Sequence, residues 1–273
     1  LVHFPSADAP TPLVVYFHGG GFTGGDKGEA WAQGGLASPL LASQVAMATC
    51  NYRLLDDVDT EGVIKPLSDS ARCLQTLRHH ADQLNLDPDR VVVSGVSAGA
   101  GTALWLGTHD DLADSGASDP VLTASTRVSG VVIWETQATY DLVRWDEFLL
   151  GEFGLELFPV AEEFGLEQRL FSFYGISSAE ELESDAIVAY RANVDMLGLM
   201  DGDDAPIWVQ NAIETTAIPL GVSPLFHHPF HALAVYEQAL SVGLDIEADI
   251  PKLDEPVDSP NRILGLGDGR LQA

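Results

Sequence analysis

The sequence predicts an α/β protein with a doubly wound, mostly parallel sheet, and three observations indicate it. Short apolar runs alternate along the chain with segments of helical periodicity, as they do where crossover helices join parallel strands. The run "RVVVSG" at 90–95 is apolar at successive positions, which is typical of a strand covered on both faces. The 273 residues suit one sizeable domain, so we expect a single domain over 1–273.

The first half of the chain has the clearest alternation. The helix predicted at 65–84 carries an apolar face at helical spacing, formed by Leu67, Ala71, Leu74, Leu77, Ala81 and Leu84. The turn "LDPDR" (86–90) follows it. The other predicted elements are the strand "PLVVYF" (12–17), a loosely helical stretch (29–43), the strand "VAMATCNYRL" (45–54), the strand at 90–95 and the helix "AGAGTALWLGTH" (98–109).

The second half is less regular. Its predicted elements are the strands "RVSGVVIWET" (127–136) and "PIWVQN" (206–211), a helix (229–243) and the strand "DIEADIP" (245–251). The stretch 137–204 mixes Phe, Leu and Tyr with glutamates and forms no clean βα unit. We interpret it as a helical insertion, which in such sheets often covers a site at the carboxyl ends of the strands.

The charge balance restricts the kinds of partner. The chain has 41 acidic and 13 basic residues, so its formal net charge is −28, and such a surface repels nucleic acid and anionic membranes. No apolar stretch is long enough to span a bilayer. The chain begins without an initiator Met or a signal-peptide core, so we expect that any leader has been removed. A small-molecule partner is expected; homo-oligomerisation and the compartment stay open.

The two cysteines, Cys50 and Cys73, fall in a predicted strand and a predicted helix. We expect a buried thiol at each position, because free cysteine is among the most buried residue types. A disulfide between the two is the alternative.

The pentapeptide "GVSAG" at 95–99 lies between a predicted strand and a predicted helix. Its glycines allow Ser97 to occupy a strained turn and to project its hydroxyl above the sheet. The helix that begins at Ala98 directs free N–H groups at any developing negative charge. An incidental serine in a turn of small residues is the alternative. We interpret Ser97 as a nucleophile.

The glycine run in "FHGGGF" at 17–22 follows a predicted buried strand, where glycine is costly in backbone entropy. A loop without side chains can bring N–H groups to the oxyanion of an ester's tetrahedral intermediate. We therefore expect an oxyanion hole formed by Gly20, Gly21 and the N–H of Ala98. A glycine turn without a ligand is the alternative. A phosphate cradle would end in Gly-Lys-Ser/Thr, which is missing here.

Together with "NYRL" (51–54), "SDSARCLQTLR" (68–78) and "LDPDRVVVSGVSAGAGTA" (86–103), these motifs resemble the α/β-hydrolases. Within that superfamily they are most similar to the hormone-sensitive-lipase-like esterases and their carbohydrate-esterase relatives. The resemblance implies an α/β-hydrolase fold and a serine esterase that uses no cofactor and no metal. It also implies that Ser97 is the nucleophile, that the oxyanion donors are Gly20, Gly21 and Ala98, and that His18, Asp69 and Arg78 are structural.

The rest of a catalytic triad is less clear in this chain. The acid should follow the strand "PIWVQN", and Glu214 lies at the expected offset, although it could equally be a solvated loop residue. The base should follow the last strand, but no histidine follows His231, so the sequence departs from the family there. His227 and His228 belong to a loop on the carboxyl-end rim of the sheet. We expect one of them to face Ser97 as the base and the other to pack or cap locally.

Three alternatives apply to these histidines. One of them could cap the helix at 229–243, with His231 on its exposed face. The pattern "HHxxH" could bind a metal through His228 and His231, one turn apart, although no carboxylate motif supports it. The protein could also have lost its base and bind a small molecule instead of cleaving it.

We therefore predict a serine carboxylic-ester hydrolase that acts on small acyl esters, with acetylated carbohydrate as one candidate. A hydrolase-fold protein that only binds its ligand is the alternative class. Long lipids are disfavoured, because no strongly apolar lid segment is visible and the acidic surface would resist a lipid interface.

Overall fold

The chain forms one sheet of seven strands in the part that the structure describes. A computed structural model describes residues 1–29, 36–213 and 217–250. The strands are β1 (Val2–His3), β2 (Thr11–Phe17), β3 (Ala46–Cys50), β4 (Leu86–Val96), β5 (Gly130–Trp134), β6 (Ile207–Gln210) and β7 (Ile246–Asp249). Their order is β1-β3-β2-β4-β5-β6-β7, and only the pairing of β1 with β3 is antiparallel. The predicted doubly wound, mostly parallel α/β sheet is confirmed.

Helices connect the strands and fill the interval between β5 and β6. Within the same ranges, the α-helices are α1 (Ala37–Ala42), α2 (Ile64–His79), α3 (Ala98–Thr108), α4 (Leu157–Glu163), α5 (Glu167–Tyr174), α6 (Asp185–Asn193), α7 (Met196–Leu199), α8 (Val222–Phe226) and α9 (Pro229–Val242). Shorter helical turns lie at Pro120–Thr123, Leu142–Arg144, Asp146–Leu150, Gly151–Phe153 and Ala179–Glu183. None of the helices in these ranges is long and apolar enough to cross a membrane.

Apolar packing on both faces explains why the central strands lack alternation. On β2, Val15 belongs to a cluster that includes residues of α2 and α3, whereas Tyr16 belongs to a cluster with Leu40 of α1. All residues of α3 are buried, and this helix packs against β4 and β5. A strand with helices on both sides gains free energy by burying apolar side chains at every position.

The parallel register brings the ends of the central strands to one edge of the sheet. Phe17, the last residue of β2, lies opposite Cys50 of β3 and Gly95 of β4. Val96 in turn lies opposite Trp134 of β5. The loops after these strands therefore emerge side by side, and the two glycine motifs become neighbours.

Two predictions about the strands were wrong. The segment "LDPDR" belongs to β4 rather than to a turn, since Leu86 pairs with Thr11 and a bulge between Thr11 and Leu13 absorbs the mismatch in length. The antiparallel strand β1 was not predicted, because two residues are too few to show any periodicity. Of the helical stretch predicted at 29–43, residues 30–35 lie outside the described ranges, and the remainder contains α1.

The expectation of two free thiols was also wrong. Cys50, at the end of β3, and Cys73, on α2, form a disulfide with a Cα–Cα distance of 6.6 Å. The helix packs over the strand end at a separation that a disulfide can bridge. The pairing depends on this packing, which a chain separation of 23 residues does not reveal.

The residues between β5 and β6 form a helical layer that ion pairs hold together. Arg191 of α6 lies 2.8 Å from Asp141, and Arg144 lies 2.7 Å from Asp195, which directly precedes α7. Tyr174 at the end of α5 donates to the carbonyl O of Tyr140 at 3.0 Å. Most of these groups are partly or wholly buried, so the charge-assisted bonds are shielded from solvent.

Removing the disulfide should destabilise the fold. A Cys50→Ala/Cys73→Ala variant should lose about 3 kcal/mol of the free energy of unfolding, because the cross-link restricts the unfolded chain. Urea unfolding with and without a reductant measures this. The wild type should respond to the reductant, and the variant should not. Identical midpoints for oxidised and reduced wild type would contradict the prediction.

Candidate active site

Ser97 occupies a strained turn between β4 and α3. Its backbone has φ 53° and ψ −123°, a conformation that a serine rarely adopts. A Cβ at Gly95 would overlap the carbonyl group of Gly99, and a Cβ at Gly99 would overlap the carbonyl group of Phe17. Both flanking positions therefore require glycine, because α3 begins directly against the end of β2. The turn projects the Ser97 hydroxyl from the carboxyl edge of the sheet.

The imidazole of His227 lies within hydrogen-bonding distance of this hydroxyl. Ser97 Oγ is 2.8 Å from His227 Nε2. On the other side of the ring, His227 Nδ1 lies 3.3 Å from Ser223 Oγ. The buried Asn211, which directly follows β6, donates from Nδ2 to the carbonyl O of His227 at 2.9 Å. The end of α8 and the loop after β6 thus fix the position of this histidine.

The side chain of His228, the residue after His227, contacts other groups than Ser97. Its Nδ1 accepts a hydrogen bond from the N–H of Phe230 at 3.2 Å and caps α9. Its Nε2 lies 3.2 Å from the carbonyl O of Ala217. Pro229 occupies the first position of the helix, so the residue before it adopts an extended conformation, and His228 becomes the cap.

His231 is fully buried, which excludes the alternative that it lies on an exposed helix face. Its Nδ1 accepts from the N–H of Ala138 at 3.3 Å, and its Nε2 lies 3.1 Å from the carbonyl O of Leu225. Burial lowers the pKa of His231 to about 3, so the ring is neutral. Its contacts make it a structural link between the helical layer and α9. Among the described residues, no three His, Cys, Asp or Glu side chains are grouped to hold a metal.

Glu214, the residue that the sequence suggests as the acid, lies outside the described residues. The described stretch directly after β6 runs from Asn211 to Ile213. The N–H of Ile213 donates to Asn211 Oδ1 at 2.9 Å. The assignment of Glu214 stays a prediction.

The glycine loop after β2 has a backbone conformation that favours glycine at two positions. Gly20 has φ +102° and Gly21 has φ +58°, and a Cβ at Gly20 would overlap the carbonyl group of Gly24. The N–H of Thr23 donates to the carbonyl O of Gly20 at 3.1 Å and closes a tight turn. Gly21 lines the same cavity as Ser97 and Ala98, whereas Gly20 forms the turn beside it. Only a residue without a side chain fits at Gly20, because the loop folds back on itself there.

Tyr52 holds the base of this glycine loop, a role that sequence analysis missed. Its hydroxyl donates to the carbonyl O of His18 at 2.6 Å, and its ring stacks on the His18 ring at a centroid distance of 4.2 Å. Burial raises the pKa of Tyr52 well above its ordinary value, so the hydroxyl remains protonated and remains a donor. His18 Nδ1 lies 2.8 Å from the carbonyl O of Gly19. The "NYRL" motif, which contains Tyr52, was the feature of the sequence that could have indicated this role.

The cavity above Ser97 is almost entirely apolar. Its walls come from the glycine loop, from α8 and above all from the helical layer between β5 and β6. Among the described lining residues, Arg169 of α5 alone carries a charge. The apolar and aromatic lining residues include Phe22, Tyr140, Trp145, Leu170, Phe173 and Phe226. A cavity with these walls suits a small apolar group attached to a reactive carbonyl.

A comparison with family models matches residues 2–223 to the family described as BD-FAE. A comparison with curated protein sequences gives no significant match.

Solved structures of similar fold include several esterases. The acetyl ester-xyloside bifunctional hydrolase from Caldicellulosiruptor lactoaceticus is 20% identical with a TM-score of 0.64, and the match covers 92% of this chain and 75% of that one. A truncated carbohydrate esterase from gut microbiota is 13% identical with a TM-score of 0.65, covering 91% and 80%. The butyrate-bound esterase of the planctomycete Thermogutta terrifontis is 18% identical with a TM-score of 0.56, covering 91% and 76%. At these identities, the likeness concerns the fold.

Replacing Tyr52 by Phe should lower turnover more than it lowers stability. The variant loses the hydroxyl that fixes the carbonyl of His18, so the glycine loop becomes less preorganised, and we expect kcat to fall by about 10-fold. Steady-state hydrolysis of p-nitrophenyl acetate measures the effect. Tyr190→Phe is the matched control, because its hydroxyl also binds backbone groups, Glu61 O and Ile64 N, but away from Ser97. Equal losses in the two variants would contradict the role of Tyr52.

Proposed function

The chain belongs to the BD-FAE family of α/β-hydrolase-like esterases and is a serine hydrolase of the carboxylesterase type; we propose that it cleaves small acyl esters through an acyl-enzyme on Ser97. The observation that carries the proposal is the 2.8 Å distance between Ser97 Oγ and His227 Nε2 at the mouth of the cavity. A serine hydroxyl at its ordinary pKa is a poor nucleophile, and an adjacent imidazole is the group that activates it.

In the proposed reaction, His227 Nε2 accepts the hydroxyl proton as Ser97 Oγ attacks the ester carbonyl. The N–H groups of Gly20, Gly21 and Ala98 donate to the oxyanion of the tetrahedral intermediate. The alcohol leaves with the proton from His227, and Ser97 is acylated. His227 then deprotonates a water molecule, which attacks the acyl group. The bond between the acyl carbon and Ser97 Oγ breaks, the carboxylic acid leaves, and His227 returns the proton to Ser97 Oγ.

Glu214 is proposed as the acid that orients the base. In this role its carboxylate accepts a hydrogen bond from the Nδ1–H of His227 and stabilises the imidazolium that forms during attack. In the sequence it follows Asn211 by three residues, and Asn211 donates to the backbone carbonyl of His227. The hydroxyl of Ser223, 3.3 Å from His227 Nδ1, would share this side of the ring.

The proposed substrates are esters with a short acyl group, and acetylated carbohydrates are candidates. We propose that 137–204 is an insertion within a single domain spanning 1–273, and that it covers the site. Residues in this range, Tyr140, Trp145 and Phe173 among them, supply much of the apolar cavity wall. Carbohydrate and acetyl esterases are among the proteins of similar fold reported above. No observation favours the alternative of a binding protein without a base, since an imidazole contacts Ser97.

A phosphonate ester probe should label Ser97, and short p-nitrophenyl esters should be hydrolysed. Ser97→Ala should bind no probe and should lower kcat by at least about 10³-fold with an unchanged unfolding midpoint, since the hydroxyl is the attacking group. Mass spectrometry of the labelled peptide and steady-state kinetics provide the readouts. An unlabelled wild type, or near-normal hydrolysis by Ser97→Ala, would exclude the proposed function.

His227→Ala should abolish turnover as completely as Ser97→Ala, because the serine loses its general base. His228→Ala is the matched control one residue away. It should retain turnover and lose about 1 kcal/mol of stability with the cap of α9. The kcat of Glu214→Gln should lie between the kcat of His227→Ala and that of His228→Ala. The assignment of the base fails if His228→Ala is the inactive variant.

A further inference from the structure

Arg169 is the one cation at the catalytic cavity in the part of the chain that the structure describes. It lies on α5, and its side chain is half-buried against the glycine loop. Nη2 donates to the carbonyl O of Gly21 at 3.1 Å, and Cζ lies 5.0 Å from the ring centroid of Phe226. Gly21 belongs to the proposed oxyanion hole, and Phe226 precedes the proposed base. The guanidinium therefore lies between the two halves of the reaction site.

This cation has no carboxylate partner within the described ranges. The contrast with the other cations there is clear: each forms an ion pair, except Arg78, which donates to the carbonyl O atoms of Pro88 and Ser125. In a chain with 41 acidic and 13 basic residues, a carboxylate is the most abundant partner, yet no carboxylate of the described residues forms an ion pair with Arg169. Burial lowers its pKa, and no neighbouring charge opposes that shift.

The environment of Arg169 leaves most of its binding capacity unused. The Gly21 carbonyl takes one N–H group, and the face of Phe226 offers a cation–π contact. The other N–H groups of the fork donate to no other described residue, although a guanidinium matches a carboxylate with two parallel bonds. Holding a partly desolvated charge in an apolar cavity is costly unless a counter-ion binds there. The missing counter-ion is then part of the ligand.

We propose that Arg169 binds a carboxylate of the substrate, so that the enzyme prefers esters bearing a free carboxylate close to the scissile bond. The inference rests on the proposed ester hydrolysis and narrows its substrate class. The carboxylate belongs either to the acyl part or to the alcohol part of the ester, and both place an anion beside the Gly21 loop. Because the protein is strongly acidic overall, this preference comes from local contact rather than from long-range attraction.

Two pairs of matched substrates test the proposal. For the alcohol side, para-acetoxybenzoate is compared with para-tolyl acetate; for the acyl side, p-nitrophenyl hydrogen adipate is compared with p-nitrophenyl hexanoate. The quantity measured is the ratio of kcat/KM for the anionic ester to that for its neutral partner. Within one variant, this ratio is independent of the fraction of active protein, so partial misfolding cannot imitate the effect.

Arg169→Met should lower this ratio by about 10- to 100-fold for one of the two pairs, the loss expected for a charge-assisted contact. The pair that responds identifies the part of the ester that carries the carboxylate. Arg169→Lys should recover part of the ratio, because it keeps the charge without the planar fork. Arg90→Met removes a surface arginine that pairs with Asp87 and should leave the ratio unchanged.

One kinetic result would overturn the proposal: a ratio that is unchanged in Arg169→Met for both pairs. If kcat/KM falls equally for the anionic and the neutral esters, Arg169 only supports the Gly21 carbonyl. If the wild type cleaves none of the esters and Ser97 is not labelled, the proposed hydrolysis fails separately. Calorimetric measurement of para-acetoxybenzoate binding to Ser97→Ala then tests the carboxylate site by itself. Weaker binding to the double variant Ser97→Ala/Arg169→Met than to Ser97→Ala supports the carboxylate site. Equal binding to the two variants, or undetectable binding to both, refutes it.

Discussion

The close approach of the first turn of α3 to the end of β2 is the constraint on which the site depends. The backbone of Gly99 lies so near the carbonyl of Phe17 that no side chain fits between them. This contact makes the turn at Ser97 sharp, and it also sets the glycine loop after β2 beside that turn. The proposed nucleophile and the proposed oxyanion donors are therefore neighbours because a helix and a strand touch through bare backbone.

Support for this arrangement comes from outside both glycine motifs. Tyr52 follows β3 and fixes the carbonyl of His18, while Asn211 follows β6 and fixes the carbonyl of His227. Both side chains are buried, and both donate to a backbone carbonyl. Because the sheet is parallel here, both residues lie at the same edge. The loop after β2 is held by a residue that follows the neighbouring strand β3, and His227 is held by a residue that follows β6. Preorganisation of this kind lowers the reorganisation required during the reaction.

The sequence predicted the sheet, Ser97 and the glycine loop because each depends on a contiguous motif whose geometry is local. Choosing between His227 and His228 required the structure, since adjacent loop residues point in different directions and the cap of α9 decides which one turns away. The disulfide was missed because it depends on how α2 packs over β3. Arg169 was missed because the segment between β5 and β6 has no strong period, so nothing in the chain indicates which of its side chains enters the cavity.

The hydrogen bond between Arg169 and Gly21 joins the loops at the sheet edge to the helical layer above them. The loops at the sheet edge are confined by glycines and backbone contacts, so few substitutions there are tolerated. The helical layer between β5 and β6 shapes much of the cavity, and it also touches the strained turn at Tyr140, whose hydroxyl donates to the carbonyl O of Ala98 at 2.8 Å. A substitution of a layer residue that only lines the cavity can change its shape and leave the sheet-edge loops in place, whereas a substitution of Arg169 changes the cavity and the contact with Gly21 together.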